Sequence, residues 1–228
     1  MISIVVPTYN EAGSLPKLAE RLHEALAGGE WELVVVDDGS PDGTADIAEA
    51  LAPRIPVRVV RRAGKAGLAS AVVAGFAAAT GDVLVVMDAD LSHPPEVVPA
   101  LAAAIENGAD LAVGSRYVRG GGVEDWPARR RIVSRVACLM GNALVPVRDA
   151  TSGFFALRRS VIDGVKLNPI GFKIGFEVIA RGRYRTVVEV PYTFRDRELG
   201  ASKFGRREIA QYVQQLGQVA RDKALRRI

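Results

Sequence analysis

Five short apolar runs, rich in β-branched residues, recur through the first half of the chain, at residues 2–6, 33–36, 57–60, 83–87 and 111–113. Each is nearly continuous in hydrophobicity and lacks the alternation of a strand with one wet face. Such runs read as strands buried on both faces, the pattern of a parallel sheet. Helical patterns at 14–27, 44–51, 66–79 and 95–106 separate them. Ser14-Leu15-Pro16 and Pro94-Pro95-Glu96 resemble helix starts, because proline's fixed φ suits the first turn and its missing N–H is not needed there. Parallel strands must be rejoined by crossovers, so this rhythm predicts an α/β fold: a doubly wound sheet with right-handed connections. The 228 residues suit one such domain with a short appendage. With 49% apolar and 25% charged residues, a packed core is expected rather than disorder.

The second half is less regular. Residues 129–145 read as a helix, 154–157 as a short strand, and 174–180 as a helix after a turn at Gly171. Residues 186–190 and 192–195 read as strands, with Pro191 marking an edge or a bend. From Gly205 onward Ile209, Tyr212, Val213, Leu216, Val219, Ala220 and Leu225 roughly share one helical face. That helix either docks on the domain or lies among lipid headgroups. The expected division is therefore a main domain over 1–204 and an amphipathic helix over 205–228. The only cysteine, Cys138, excludes an intrachain disulfide and reads as a buried small hydrophobe. Pro7 comes too early for a signal peptide, and no uninterrupted apolar run reaches about 18 residues, so any membrane contact is expected to be peripheral.

The net charge of +4 says little, but its distribution says more. Arg129, Arg130, Arg131 and Arg135 cluster mid-chain, and Arg206, Arg207, Arg221, Lys223, Arg226 and Arg227 load the C-terminus. Basic clusters favour anionic partners or form a solvated face. Nucleic acid fits the charge alone, since no aromatic platform or recognition helix accompanies it.

Ligands of open α/β sheets bind outside the carboxyl ends of the strands. Three acid-rich segments follow strands here: Pro7-Thr8-Tyr9-Asn10-Glu11, Asp37-Asp38-Gly39-Ser40-Pro41-Asp42-Gly43, and Asp88-Ala89-Asp90. One alone could be turn chemistry; three together point to a site. Alternate residues of an extended segment point the same way, so Asp88 and Asp90 can share one hard cation, Mg²⁺ or Mn²⁺. No GxGxxG follows the first strand, and no glycine-rich P-loop precedes Gly64-Lys65, which argues against dinucleotide and P-loop enzymes.

The segments VVPTYNE, VVDDGSPDGT, GKAGLASA, DADLSHPPE, GSRY, TSGFFALRR, GFKIGFE, EVPYTF and GASKF resemble the dolichyl-phosphate mannosyltransferases, inverting GT-A glycosyltransferases. The resemblance runs from the first strand to about Phe204 and implies a single GT-A (Rossmann-like) domain with a mostly parallel central sheet flanked by helices. It implies that Pro7, Tyr9, Glu11, Val36 and Asp38 line a nucleoside pocket. Asp88, Ala89 and Asp90 would meet the ribose, the diphosphate and the metal, with Asp90 the principal ligand. Ser92 stands where the family usually has a glutamine able to help hold that metal. His93 reads instead as a structural turn residue. Arg116, Arg130 and Ser134 would hold the acceptor phosphate. Arg197 and Lys203 would close over the diphosphate from a mobile loop, and Lys173 and Glu177 would sit near the sugar.

The implied donor is GDP-mannose and the implied acceptor polyprenyl or dolichyl phosphate, at the cytoplasmic face of a membrane. UDP-glucose as donor, a non-catalytic lipid-phosphate or nucleotide-sugar binding subunit, and a separate membrane-anchoring subunit stay open on the sequence.

Overall fold

The computed structural model describes residues 1–196 and 206–225. Its first half runs β1 (Ile2–Thr8), α1 (Leu15–Ala25), β2 (Trp31–Asp37), α2 (Thr44–Ala50), β3 (Val57–Arg61), α3 (Leu68–Ala78), β4 (Val83–Val86), α4 (Val98–Glu106) and β5 (Leu111–Ser115). A 3-10 turn at Pro95–Val97 leads into α4, where the prolines suggested a helix start. The second half runs β6 (Gly122–Val123), α5 (Ala128–Asn142), β7 (Phe155–Arg158), α6 (Ile174–Arg181), β8 (Val187–Pro191), β9 (Thr193–Phe194) and α7 (Arg206–Ala224).

Seven strands form one sheet in the order β3-β2-β1-β4-β7-β5-β8, and β6 pairs with β9 in a separate ribbon. All five runs of the first half are strands, and their mutual pairings in this sheet are parallel. The sheet departs from a purely parallel one at β7, which enters antiparallel between β4 and β5. Phe155, Ala156 and Leu157 are fully buried, so in sequence β7 looks like its parallel neighbours. Its direction is decided by the long path through α5 that brings the chain back to the opposite end of the sheet. β8 is the far edge strand, and Pro191 ends it, where a missing N–H donor is tolerated.

The pleat divides the core into two layers. Ile4 and Val6 of β1 face α1 and α4, meeting Leu15, Leu18, Leu101 and Ile105. Val5 faces the other way, toward Val72 and Phe76 of α3 and the layer formed by α6 and α7. Gly75 sets the approach of α3: a Cβ there would stand 2.3 Å from Val5 Cγ1. Tyr212, Leu216 and Val219 of α7 are buried in this same layer, while Ile209, Val213 and Leu225 remain exposed. Arg181 secures the contact by bridging Glu177 of α6 at 2.6 Å and Asp222 of α7 at 2.7 Å. Of the two settings expected for this helix, its described residues adopt docking on the domain. No helix among the described residues is long and apolar enough to cross a membrane.

Candidate active site

The parallel strands β1, β2, β4 and β5 end at one edge of the sheet, so the segments that follow them meet there. The first two are laced into a rigid rim. The Asn10 N–H donates to Ser40 Oγ at 3.0 Å, the Glu11 N–H to Thr44 Oγ1 at 2.9 Å, and the Ala12 N–H to Asp42 Oδ2 at 3.1 Å. Asp37 accepts from Thr8 Oγ1 and from the Ser40 N–H, which makes it a turn-building residue. Asp38 accepts the Ala66 and Gly67 N–H groups at 3.1 and 3.0 Å and pairs with Arg62 at 2.8 Å, fastening the 64–67 loop beneath the rim. The Lys65 ammonium lies 4.3 Å from the Tyr9 ring centroid, Glu11 accepts from Ser14 Oγ at 2.8 Å, and Pro7 sits beside the buried Val36 in the β1–β2 register. The five residues expected around a nucleoside therefore share one neighbourhood.

Beyond β4, Leu91 takes a left-handed φ of 63° and turns the chain back, so the Ser92 N–H donates to Asp90 Oδ1 at 3.1 Å. Ala89 is buried, while Asp88 and Asp90 keep intermediate exposure. Ser92 is 1% exposed, and its hydroxyl has no hydrogen-bond partner among the described residues. Two carboxylates and an orphaned hydroxyl oxygen fit a hard divalent cation. Among the described residues no three acidic, histidine or cysteine side chains gather to cage an ion. His93 has a structural occupation. Its Nδ1 accepts the Asp88 N–H at 3.0 Å, and its ring stacks on Phe154 at 5.0 Å with Tyr192 and Phe194 edge-on. Burial pushes its pKa down to about 4, so it is neutral near pH 7.

Arg116 follows β5 at the same edge and is 8% exposed. Its Nε and Nη2 each donate to Asp149 at 2.7 Å, and Nη2 also reaches Thr151 Oγ1 at 2.9 Å. Burial alone would raise the Asp149 carboxyl, but the adjacent guanidinium overrides it and holds the pKa below the usual carboxylate range. The Lys173 ammonium donates to the Thr151 carbonyl at 2.8 Å, and burial together with Arg116 lowers its pKa to about 8. Cys138 lies against the same pair, its Sγ 3.1 Å from Thr151 Oγ1. Burial, reinforced by the Asp149 charge, raises its pKa to about 11.

Arg130 stacks 4.1 Å from the Trp126 ring centroid and pairs with both oxygens of Asp196 at 2.7 Å. Ser134 Oγ accepts from Tyr117 OH at 2.7 Å. Arg116 lies 5.4 Å from the Tyr117 centroid and 5.6 Å from that of Trp126, so one aromatic group gathers Arg116, Arg130 and Ser134. Phe194 joins this group to His93, and thus to the aspartate segment.

Glu177 has another occupation than the one expected near a sugar. At 1% exposure it accepts from the Asn168 N–H, Arg181 and Gln215, bonds that tie α6 to α7. Arg197 and Lys203 lie outside the described residues. Sequence reasoning missed Asp149, Thr151, Tyr117 and Asp196. Asp149 is 33 positions from Arg116, and no local pattern pairs them.

A mostly parallel sheet with paired aspartates and a buried arginine at its carboxyl edge is the architecture of a glycosyltransferase with a GT-A fold. The family model of glycosyl transferase family 2 matches residues 3–165. A dolichol-phosphate mannosyltransferase of Pyrococcus furiosus is 51% identical, covering 94% of this chain, which spans 62% of that protein's length. A polyprenol monophosphomannose synthase of Mycolicibacterium smegmatis is 44% identical over 88% of this chain and 79% of that one. For a dolichol-phosphate mannosyltransferase of Saccharomyces cerevisiae the figures are 39%, 94% and 85%. The chain belongs to glycosyl transferase family 2. In fold it is similar to the Mycobacterium tuberculosis glucosyl-3-phosphoglycerate synthase solved with Mn²⁺, uridine diphosphate and glucosyl-3-phosphoglycerate. The TM-score is 0.70 at 21% identity, covering 96% of this chain and 78% of that one.

Proposed function

We propose that this chain transfers mannose from GDP-mannose to a polyprenyl phosphate with inversion, working at the cytoplasmic face of a membrane. The observation that carries the reading is the aromatic group that holds Arg116, Arg130 and Ser134 together and links them to Asp88 and Asp90. Arginine binds phosphate oxygens in a planar, charge-assisted fork, and Ser134 adds a hydroxyl beside it. A phosphate monoester has its second pKa near about 6 and is mostly a dianion at neutral pH, so it needs no general base. Catalysis then rests on aiming the acceptor oxygen at the anomeric carbon and on stabilising the departing diphosphate. Attack opposite the leaving group inverts that centre. Asp88 and Asp90, with the Ser92 hydroxyl, would hold Mg²⁺ or Mn²⁺, which when bound neutralises charge on the donor diphosphate. Pro7, Tyr9, Glu11, Val36 and Asp38 would form the nucleoside side of the site, and Arg197 and Lys203 would cover the diphosphate. Before the acceptor binds, Asp196 occupies Arg130, so acceptor phosphate must displace a carboxylate to reach it.

The test is radiolabel transfer into an organic phase, with polyprenyl phosphate as acceptor and GDP-mannose or UDP-glucose as donor, with Mg²⁺, Mn²⁺ or chelator. Metal-dependent label from GDP-mannose alone is expected. Label from UDP-glucose instead would move the reading to a glucosyltransferase, and lipid label from neither donor would overturn it.

A further inference from the structure

Trp126 stands just ahead of α5 and is 6% exposed. Asp125 before it takes a left-handed φ of 55°, a conformation that aspartate tolerates better than most residues. The Arg130 guanidinium lies 4.1 Å from the indole centroid and that of Arg116 5.6 Å, while Phe194 meets the ring edge-on at 5.2 Å. The indole N–H is the anomaly. Nε1 is shielded from water, yet no acceptor among the described residues takes its proton. An indole nitrogen only donates, and a buried donor in a folded protein is almost always paired. The acids nearby are engaged elsewhere: Asp149 by Arg116, Asp196 by Arg130 and Glu124 by Arg195.

The start of α5 indicates the charge of the missing acceptor. Its N-cap is Pro127, which has no side-chain acceptor, and its first turn holds no acid. Unpaired N–H groups give a helix N-terminus partial positive charge, which favours anions. Arg129, Arg130 and Arg131 add three cations to that same turn. An anion reaching this point from the side of Arg116 and Arg130 finds the unpaired indole N–H between them.

We infer that the Trp126 indole N–H is a further donor to the acceptor phosphate, beside Arg130 and Ser134. The inference rests on the proposed reading for the identity of that phosphate. A phosphate monoester carries three acceptor oxygens, more than one guanidinium and one hydroxyl satisfy. In the free protein Asp196 holds Arg130 against the ring. A phosphate that takes Arg130 from Asp196 is thereby brought beside the indole, and the N–H gains a charged acceptor where it had none. The bond forms only with ligand, so the N–H contributes to acceptor binding and not to the stability of the free protein.

The test is the indole N–H resonance of the ¹⁵N-labelled full chain, which contains two tryptophans. Trp31→Phe assigns the two signals; Trp31 begins β2, at the sheet edge away from the site. Citronellyl phosphate, a short water-soluble prenyl phosphate, should move the Trp126 signal downfield, as a new charge-assisted hydrogen bond does, and leave that of Trp31 in place. Inorganic phosphate should shift it in the same direction, since it has the oxygens without the tail. Trp126→Phe keeps an aromatic ring beside Arg130 and deletes the N–H. It should raise the acceptor KM about tenfold and leave the donor KM unchanged, with a circular-dichroism melt near that of wild type confirming the fold. A Trp126 signal that stays in place when citronellyl phosphate saturates calorimetric binding would overturn the inference. So would a shift caused by GDP and by neither phosphate, which assigns the N–H to the donor side, or by citronellyl phosphate and not by inorganic phosphate, which assigns it to the tail. A folded Trp126→Phe variant with the wild-type acceptor KM would overturn it as well. If both phosphates shift the signal but no sugar is transferred, the enzymatic reading fails while the phosphate contact stands.

Discussion

Replacing Asp149 by asparagine should unfold the protein more readily than almost any other change of one atom. Asp149 is fully buried, and two of its three strongest bonds come from the Arg116 side chain, the third from the Arg116 N–H at 3.0 Å. Asparagine keeps the shape but removes the charge and places an NH₂ where an acceptor stood. The Arg116 guanidinium, 8% exposed, then loses its counter-charge, and it stands close enough to the Lys173 ammonium to add to burial in lowering the lysine pKa. Breaking one partner of a buried ion pair costs about 3–5 kcal/mol, because the remaining charge stays desolvated. Urea unfolding should therefore show a midpoint shift of that size at an unchanged slope. Arg116→Met combined with Asp149→Leu removes both charges and should recover much of the loss, as apolar replacement of a whole buried pair often does. The pH dependence follows from the depressed carboxyl pKa. The pair's contribution is complete at neutral pH and is lost as pH falls below the unfolded value of about 3.9 and through the lower folded value. The gap between wild type and Asp149→Asn should narrow on acidification. A loss under about 1 kcal/mol, or a double variant no more stable than Asp149→Asn, would refute the reasoning.

Gly75→Ala should cost about 1–3 kcal/mol in the same assay, since its Cβ would overlap Val5 and push α3 off the sheet; a neutral change would mean that the layer is loosely packed. Asp90→Ala should abolish lipid labelling, while Arg130→Ala should raise the acceptor KM more than the donor KM. Equal changes in both would dissolve the division between the acceptor grip and the donor side. The Arg130–Asp196 pair is partly exposed, so Arg130→Ala should move the melting midpoint little, the pair contributing at most about 1 kcal/mol. Cys138 should react negligibly with Ellman's reagent at pH 8 and fully after unfolding, because its thiol is buried and its pKa raised to about 11. Rapid labelling of the native protein would contradict that burial.

Much of the fold was legible because its signals are local. A run such as 83–87 can be buried on both faces only in a sheet covered on both sides, and the helices between the runs supply that cover. Asp88 and Asp90 could be assigned to the ligand edge for the same reason, since they directly follow a strand whose direction the crossovers determine. The other half of the site was less accessible. Arg116 could be placed at the edge, but its bond to Asp149 depends on β7 entering the sheet between β4 and β5, and a buried antiparallel strand looks in sequence like a parallel one. Glu177 illustrates the same limit: its motif suggested a place near the sugar, whereas packing of α7 against α6 surrounds it with Arg181 and Gln215.

Helix α5 marks the boundary most clearly. The sequence by itself indicated a helix over residues 129–145, with arginines at its start and apolar residues beyond them, since helical spacing and charge are properties of the segment alone; the structure ends it at Asn142. Which side faces the domain was decided by tertiary structure. The approach of Ala150 and Tyr212 to Gly141 leaves room only for small side chains, so the larger apolar residues are turned outward. Periodicity defines a helix face, but only the volume left by neighbouring elements chooses the face that is buried.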